Sequence, residues 1–111
     1  MKDIAIYGAG GLGREVASVL HLLFPEDEPR RLVGFFDDGV PKGSEVGHFG
    51  KVLGGIEDLN SWPDPLEIAL CFGEGVVTRK VFSKITNPKV SFPSTKVILP
   101  SSRYNFSTFK K

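Results

Sequence analysis

The chain has 111 residues, 41% of them hydrophobic and 24% charged, with a formal net charge of +1. That length holds one small domain with a real core and excludes a second domain of ordinary size. The near-neutral balance gives nucleic acid no basic face, and no apolar run approaches the ~20 residues that cross a bilayer.

Ile4 to Tyr7 is apolar without alternation, as in a parallel strand buried on both faces. It starts almost at the N-terminus, so no signal peptide is expected and a cytoplasmic setting is. Gly8-Ala9-Gly10-Gly11-Leu12-Gly13 follows. From Leu12 onward Val16, Ala17, Val19, Leu20, Leu23 and Phe24 recur at helical spacing until Pro25 stops the helix. A charged turn, Glu26 to Arg31, leads into a second strand over Leu32 to Phe36, which ends in Asp37-Asp38-Gly39.

Gly39 to Gly50, rich in glycine and charge, reads as a mobile loop at the carboxyl ends of the strands, placed to fold over a ligand. Lys51 to Leu53 is a short strand, Gly54-Gly55 a turn, and Ile56 to Leu59 one helical turn. Pro63 and Pro65 mark an extended connection into a buried strand, Leu66 to Phe72, which ends at Gly73-Glu74-Gly75. Val76, Val77, Lys80, Val81, Lys84 and Ile85 give a second amphipathic helix, closed by Asn87-Pro88, and Lys89 to Phe92 is a last parallel strand. Pro93 to Lys111 has no clear period and reads as a weakly structured tail. The alternation is that of an α/β fold with a mostly parallel sheet.

Gly8-x-Gly10-x-x-Gly13 is the pattern by which a strand hands a phosphate to a helix N-terminus. The first glycine permits the turn, the second lets backbone approach phosphate, and the third lets helix pack on strand. Glycines also make plain βα turns. Here a strand before, a helix after and acids at the tip of the next strand favour a nucleotide. Asp37 and Asp38 point to opposite sides, so one would meet a ribose and the other a base edge or a backbone amide. No nearby Arg replaces the acid to receive a 2′-phosphate. Gly73 ends the third principal strand, expected beside the first, and on the residues alone reads as a simple strand-to-helix turn, with a ligand passing near it as the alternative.

Arg14 opens the first helix against its dipole, which a phosphate, the Glu15 region or plain solvent exposure would each explain. Arg79 reads as a surface ion-pair partner, His21 as a packed or half-exposed side chain, and His48 has no evident partner. Cys71, the lone cysteine, reads as a buried structural thiol. No metal spacing, nucleophile elbow or Walker lysine is present, and no catalytic residue is assigned.

With these residues the chain resembles the N-terminal domain of bacterial sugar O- and N-acyltransferases of the sialic acid O-acetyltransferase family, which includes glycan-biosynthesis enzymes that acetylate UDP-linked 4-amino sugars. The likeness rests on Ile6-Tyr7-Gly8-Ala9-Gly10-Gly11-Leu12-Gly13-Arg14-Glu15-Val16, on Val33 to Asp38, on Ala69 to Gly73 and on Val77 to Phe82, and covers residues 1–93. It implies a small three-layer Rossmann-like domain that binds a UDP-sugar. The implied contacts are Gly10, Gly11 and Leu12 at the glycine turn, Asp37 and Asp38 on the uridine, and Gly73 at the second turn. Some relatives have His where this chain has Leu12, which removes a potential hydrogen bond to the ligand.

Relatives continue into a left-handed β-helix that binds acetyl-CoA, forms a trimer and supplies the catalytic histidine. Residues 94–111 lack that hexapeptide rhythm, and Leu99-Pro100-Ser101 stands where relatives tend to have His-Pro-Ser. The resemblance therefore implies a binding domain over 1–93 with an altered or truncated junction after it. Acetyl transfer is not expected from this chain alone, acetyl-CoA belongs to the full-length family, and a trimer is expected only with the β-helix. Two rival readings are an NAD-binding module of an oxidoreductase and a non-catalytic partner of a full-length transferase.

Overall fold

A computed structural model describes residues 1–73 and 75–93. The readings of Glu74 and of the 94–111 tail lie outside the described residues. Six strands, β1 (Lys2–Tyr7), β2 (Arg30–Phe36), β3 (Glu45–Val46), β4 (Gly50–Gly54), β5 (Leu66–Leu70) and β6 (Val90–Ser91), form one sheet in the order β3-β4-β2-β1-β5-β6. All neighbours are parallel except β3 and β4. Three α-helices, α1 (Gly11–Val19), α2 (Ile56–Asn60) and α3 (Gly75–Lys84), lie between strands in the chain. The expected small Rossmann-like α/β domain is the fold observed.

β1 is central because it is apolar on both faces. Ile4, Ala5 and Ile6 are each fully buried, between β2 on one side and β5 on the other. From β1 the chain crosses first to β2 and later, by way of α2, to β5 on the opposite side. The strand order therefore reverses next to β1. Outside the carboxyl ends of such strands lies the crevice where open α/β sheets bind ligands.

Several elements differ from expectation for identifiable reasons. β2 starts at Arg30 rather than Leu32, because Arg30 is drawn into the sheet by charge. Its guanidinium pairs across β1 with Glu67, the two side chains being 8% and 13% exposed, and lies 4.3 Å from the Phe24 ring centroid. The first helix does not run to Phe24. It ends at Val19 and tightens into a 3-10 turn, Leu20–Leu22, which lets Leu23 and Phe24 drop into the core.

The expected mobile loop over Gly39 to Gly50 is instead an ordered edge hairpin. The Gly43 N–H donates to the Val52 carbonyl (2.8 Å), the Val52 N–H donates to the Ser44 carbonyl (2.9 Å), and Val46 is buried. Its glycines serve the turn geometry, as at Gly47 with φ +54°.

Two asparagines fasten the helices. Asn60, at the end of α2, donates to the Lys84 carbonyl at the end of α3 (3.0 Å). Asn87 returns the arrangement with bonds to the carbonyls of Leu59 (2.9 Å) and Trp62 (3.0 Å). Each amide thus ties carbonyls at or just after a helix C-terminus to the neighbouring segment. Among the described residues, no helix is long and apolar enough to cross a membrane.

Candidate functional site

At the end of β1 the backbone has almost no room. Gly8 has φ +114°, and a Cβ placed there would lie 2.5 Å from the Cys71 carbonyl oxygen at the end of β5. A Cβ on Gly13 would lie 1.8 Å from the Gly8 carbonyl oxygen. The first and third glycines of the motif therefore bring β1, β5 and α1 into backbone contact.

Gly10, Gly11 and Gly73 behave oppositely. A Cβ on any of them would meet nothing within 4 Å. Gly10 is the N-cap of α1, in extended conformation, and no side chain caps the helix. The first helical bond runs from the Arg14 N–H to the Gly10 carbonyl (3.1 Å), and the first turn carries no acidic residue. An α-helix leaves its first amides without intrahelical acceptors, and its dipole favours negative charge there. Leu12 is half-buried and packs on the core.

The acids at the end of β2 stand beside this turn, and both are engaged by the fold. Asp37 accepts the Ala9 N–H on Oδ2 and the Gly39 N–H on Oδ1, each at 2.8 Å. Asp38 accepts the Tyr7 hydroxyl on Oδ2 and, at 2.8 Å, the Ile56 N–H at the start of α2 on Oδ1. The two carboxylates do face different partners, as their adjacency requires. Four segments, β1, the glycine turn, the β2 end and α2, are thereby joined through two side chains.

Sequence reasoning missed Tyr7, whose only signal was a phenol at the end of an otherwise aliphatic strand. Tyr7 is 1% exposed, with the Phe72 and Phe36 ring centroids 5.6 and 6.2 Å away. Burial pushes its phenol well above the usual range, reinforced by the hydrogen bond and charge of Asp38 and by the charge of Asp37. Cys71 is buried as expected, and burial likewise pushes its thiol up, which favours the neutral form. Lys42, on the segment after β2, was also missed and lies 3.7 Å from Asp58 of α2.

The remaining candidates lie elsewhere. α1 runs away from the glycine turn, so His21 in the 3-10 turn after it is toward the amino ends of the strands, and it is exposed. His48 lies at the same end, in the turn before β4, with its ring 4.1 Å from that of Phe49. Among the described residues, no group of three or more His, Cys, Asp or Glu is placed to hold a metal ion.

A cavity of about 450 Å³ opens at the amino ends of β1 and β5, lined by Lys2, Asp3, Arg31, Asp64 and Glu67 among others. Two of its charges are paired locally, Arg31 with Asp3 at 2.8 Å and Glu67 with Arg30. It is on the side of the sheet away from the switch point, so the glycine crevice is the stronger candidate.

Residues 3–85 match the family model described as the PglD N-terminal domain. No curated protein matches the chain.

Proposed function

Because the chain belongs to the PglD N-terminal domain family, the N-terminal sugar-binding domain of an acetyltransferase family, we propose that its crevice holds a UDP-linked sugar. The diphosphate lies over the backbone of Gly10, Gly11 and Leu12 and passes Gly73. The observation that carries this reading is the division among the glycines. Gly8 and Gly13 are closed by backbone contacts, whereas Gly10, Gly11 and Gly73 open onto unfilled space around the switch point.

The uridine falls at the β2 end, beside Asp37 and Asp38. A carboxylate oxygen that accepts one protein donor keeps a further lone pair for a ribose hydroxyl or the uracil N–H. Asp38 is the more exposed of the two and takes the direct contact. The sugar then projects from the crevice, where acetylation would reach it. We assign acetyl-CoA, the acyl donor, no residue in this chain. The glycine turn is occupied by the sugar nucleotide in this reading, and His21 and His48 lie toward the opposite end of the sheet.

Thermal melting with and without ligand tests the proposal. A UDP-sugar should raise the melting temperature, NADH should not, and Asp38→Ala should remove the shift while the protein remains folded. A folded wild type whose melting is unmoved by millimolar UDP-sugar would overturn the reading. If it also co-purifies with a full-length transferase, the non-catalytic partner reading takes its place.

A further inference from the structure

We propose that Asp37 is a positioning residue for the diphosphate: it holds the glycine turn in its binding conformation through Ala9 and does not itself read the nucleoside. The inference rests on the sugar-nucleotide reading above and divides the labour of the acid pair. Ala9 sits between Gly8 and Gly10, and its N–H donates to Asp37 Oδ2 at 2.8 Å. The second oxygen accepts the Gly39 N–H at the same distance, closing the turn that leaves β2. The aspartate's own N–H donates to the Gly54 carbonyl at 2.9 Å, which fixes the clamp to β4.

A carboxylate beside an anion cradle repels the anion, so on charge alone Asp37 weakens phosphate binding. What it supplies in return is order. Gly10 and Gly11 have no contact near their missing Cβ atoms, and glycine has the greatest backbone freedom to lose. Packing fixes Gly8 and Gly13 and seats the Ala9 and Leu12 side chains on the core, and the Ala9–Asp37 bond ties the backbone just before Gly10 to the end of β2. A turn held in place before the ligand arrives orients its amides without ordering them on binding.

The test compares Asp37→Ala and Asp37→Asn with wild type and with Asp38→Ala, using UDP and inorganic pyrophosphate as probes. The expected result is that Asp37→Ala weakens both probes by the same factor, about tenfold or more, the range for losing a hydrogen bond to a charged group. Asp37→Asn, which keeps one acceptor oxygen, should be intermediate. Asp38→Ala should weaken UDP and leave pyrophosphate competition intact. In the free protein, amide exchange at Ala9 and Gly39 should accelerate in Asp37→Ala, whereas Asp38→Ala should accelerate Ile56 instead.

Loss of UDP binding in Asp37→Ala with pyrophosphate affinity preserved would overturn the inference alone, because the acid would then be reading the nucleoside. Unchanged exchange at Ala9 would also overturn it. A wild type that binds UDP without pyrophosphate competition would overturn it too, since the turn would not be a phosphate cradle. A wild type that binds neither probe would overturn the sugar-nucleotide reading, and the positioning role with it.

Discussion

Substituting alanine at each motif glycine separates those that build the turn from those that serve a ligand. In Gly13→Ala the new methyl would lie 1.8 Å from the Gly8 carbonyl oxygen and 3.0 Å from its carbon, both main-chain atoms that cannot rotate away. Relief requires lifting α1 off the turn by more than ~1 Å, an overpacking change that costs about 2–4 kcal/mol. For a domain of this size each kcal/mol moves Tm by about 4–8 °C, so a fall of more than ~10 °C is expected. Gly10→Ala meets nothing within 4 Å, at φ −81° and ψ −162°, a conformation open to any residue. Its stability should fall by no more than about 1 kcal/mol, the preference of an N-cap for glycine over alanine. Gly11→Ala adds a better helix former to an open site and should gain up to about 1 kcal/mol. Both Gly10→Ala and Gly11→Ala should nonetheless lose UDP binding, because a methyl group fills the space through which phosphate approaches backbone. Differential scanning fluorimetry with and without UDP reads both effects. Gly10→Ala destabilising as much as Gly13→Ala, or retaining full UDP affinity, would refute the reasoning.

Three further outcomes follow from groups outside the turn. Glu67→Ala leaves the Arg30 guanidinium buried with the Glu28 carbonyl and the Phe24 ring as its remaining contacts, and chemical denaturation should register a loss of about 3 kcal/mol. Asn87→Ala removes two donors to the end of α2 and the acceptor of the Lys89 N–H. It should cost about 1–3 kcal/mol by chemical denaturation, and the Lys89 N–H, which loses its acceptor, should exchange faster with solvent. Tyr7 and Cys71 both have pKa values raised by folding, which favours their neutral forms. Their contribution is complete below the ordinary thiol and phenol values, ~8.5 and ~10, and declines as pH rises above them. Urea melts should therefore lose stability on the alkaline side, and Tyr7→Phe should make the decline above pH ~10 shallower.

The sheet was legible where burial leaves a pattern. β1 and β5 are closed in on both faces over Ile4–Tyr7 and Ile68–Leu70, so those stretches are continuous apolar runs, and the glycine motif joins the first of them to a helix. The hairpin over Gly39 to Gly50 was not legible. β3 has two residues, and the glycines that shape its turns resemble those of a free loop. Nor could the sequence show that Arg30 and Glu67 would meet across an intervening strand. Such a pair is set by register, which no local period encodes. The acids illustrate the same boundary. Their place at the end of β2 followed from the motif, but the Ala9, Tyr7 and Ile56 donors that engage them come from three other segments. Charge and position were readable; the fold decided what the charges hold.

The central claim is that the crevice between the Gly8–Gly13 turn and Gly73 holds a sugar nucleotide. The most direct measurement is a UDP titration followed by amide NMR shifts. The account predicts saturable changes that are largest at Gly10, Gly11, Leu12 and Gly73, extending to Asp38 and leaving the His48 turn unmoved. Changes centred on Lys2, Arg31 and Glu67 at the amino-end cavity, or no saturable change in a folded protein, would contradict it.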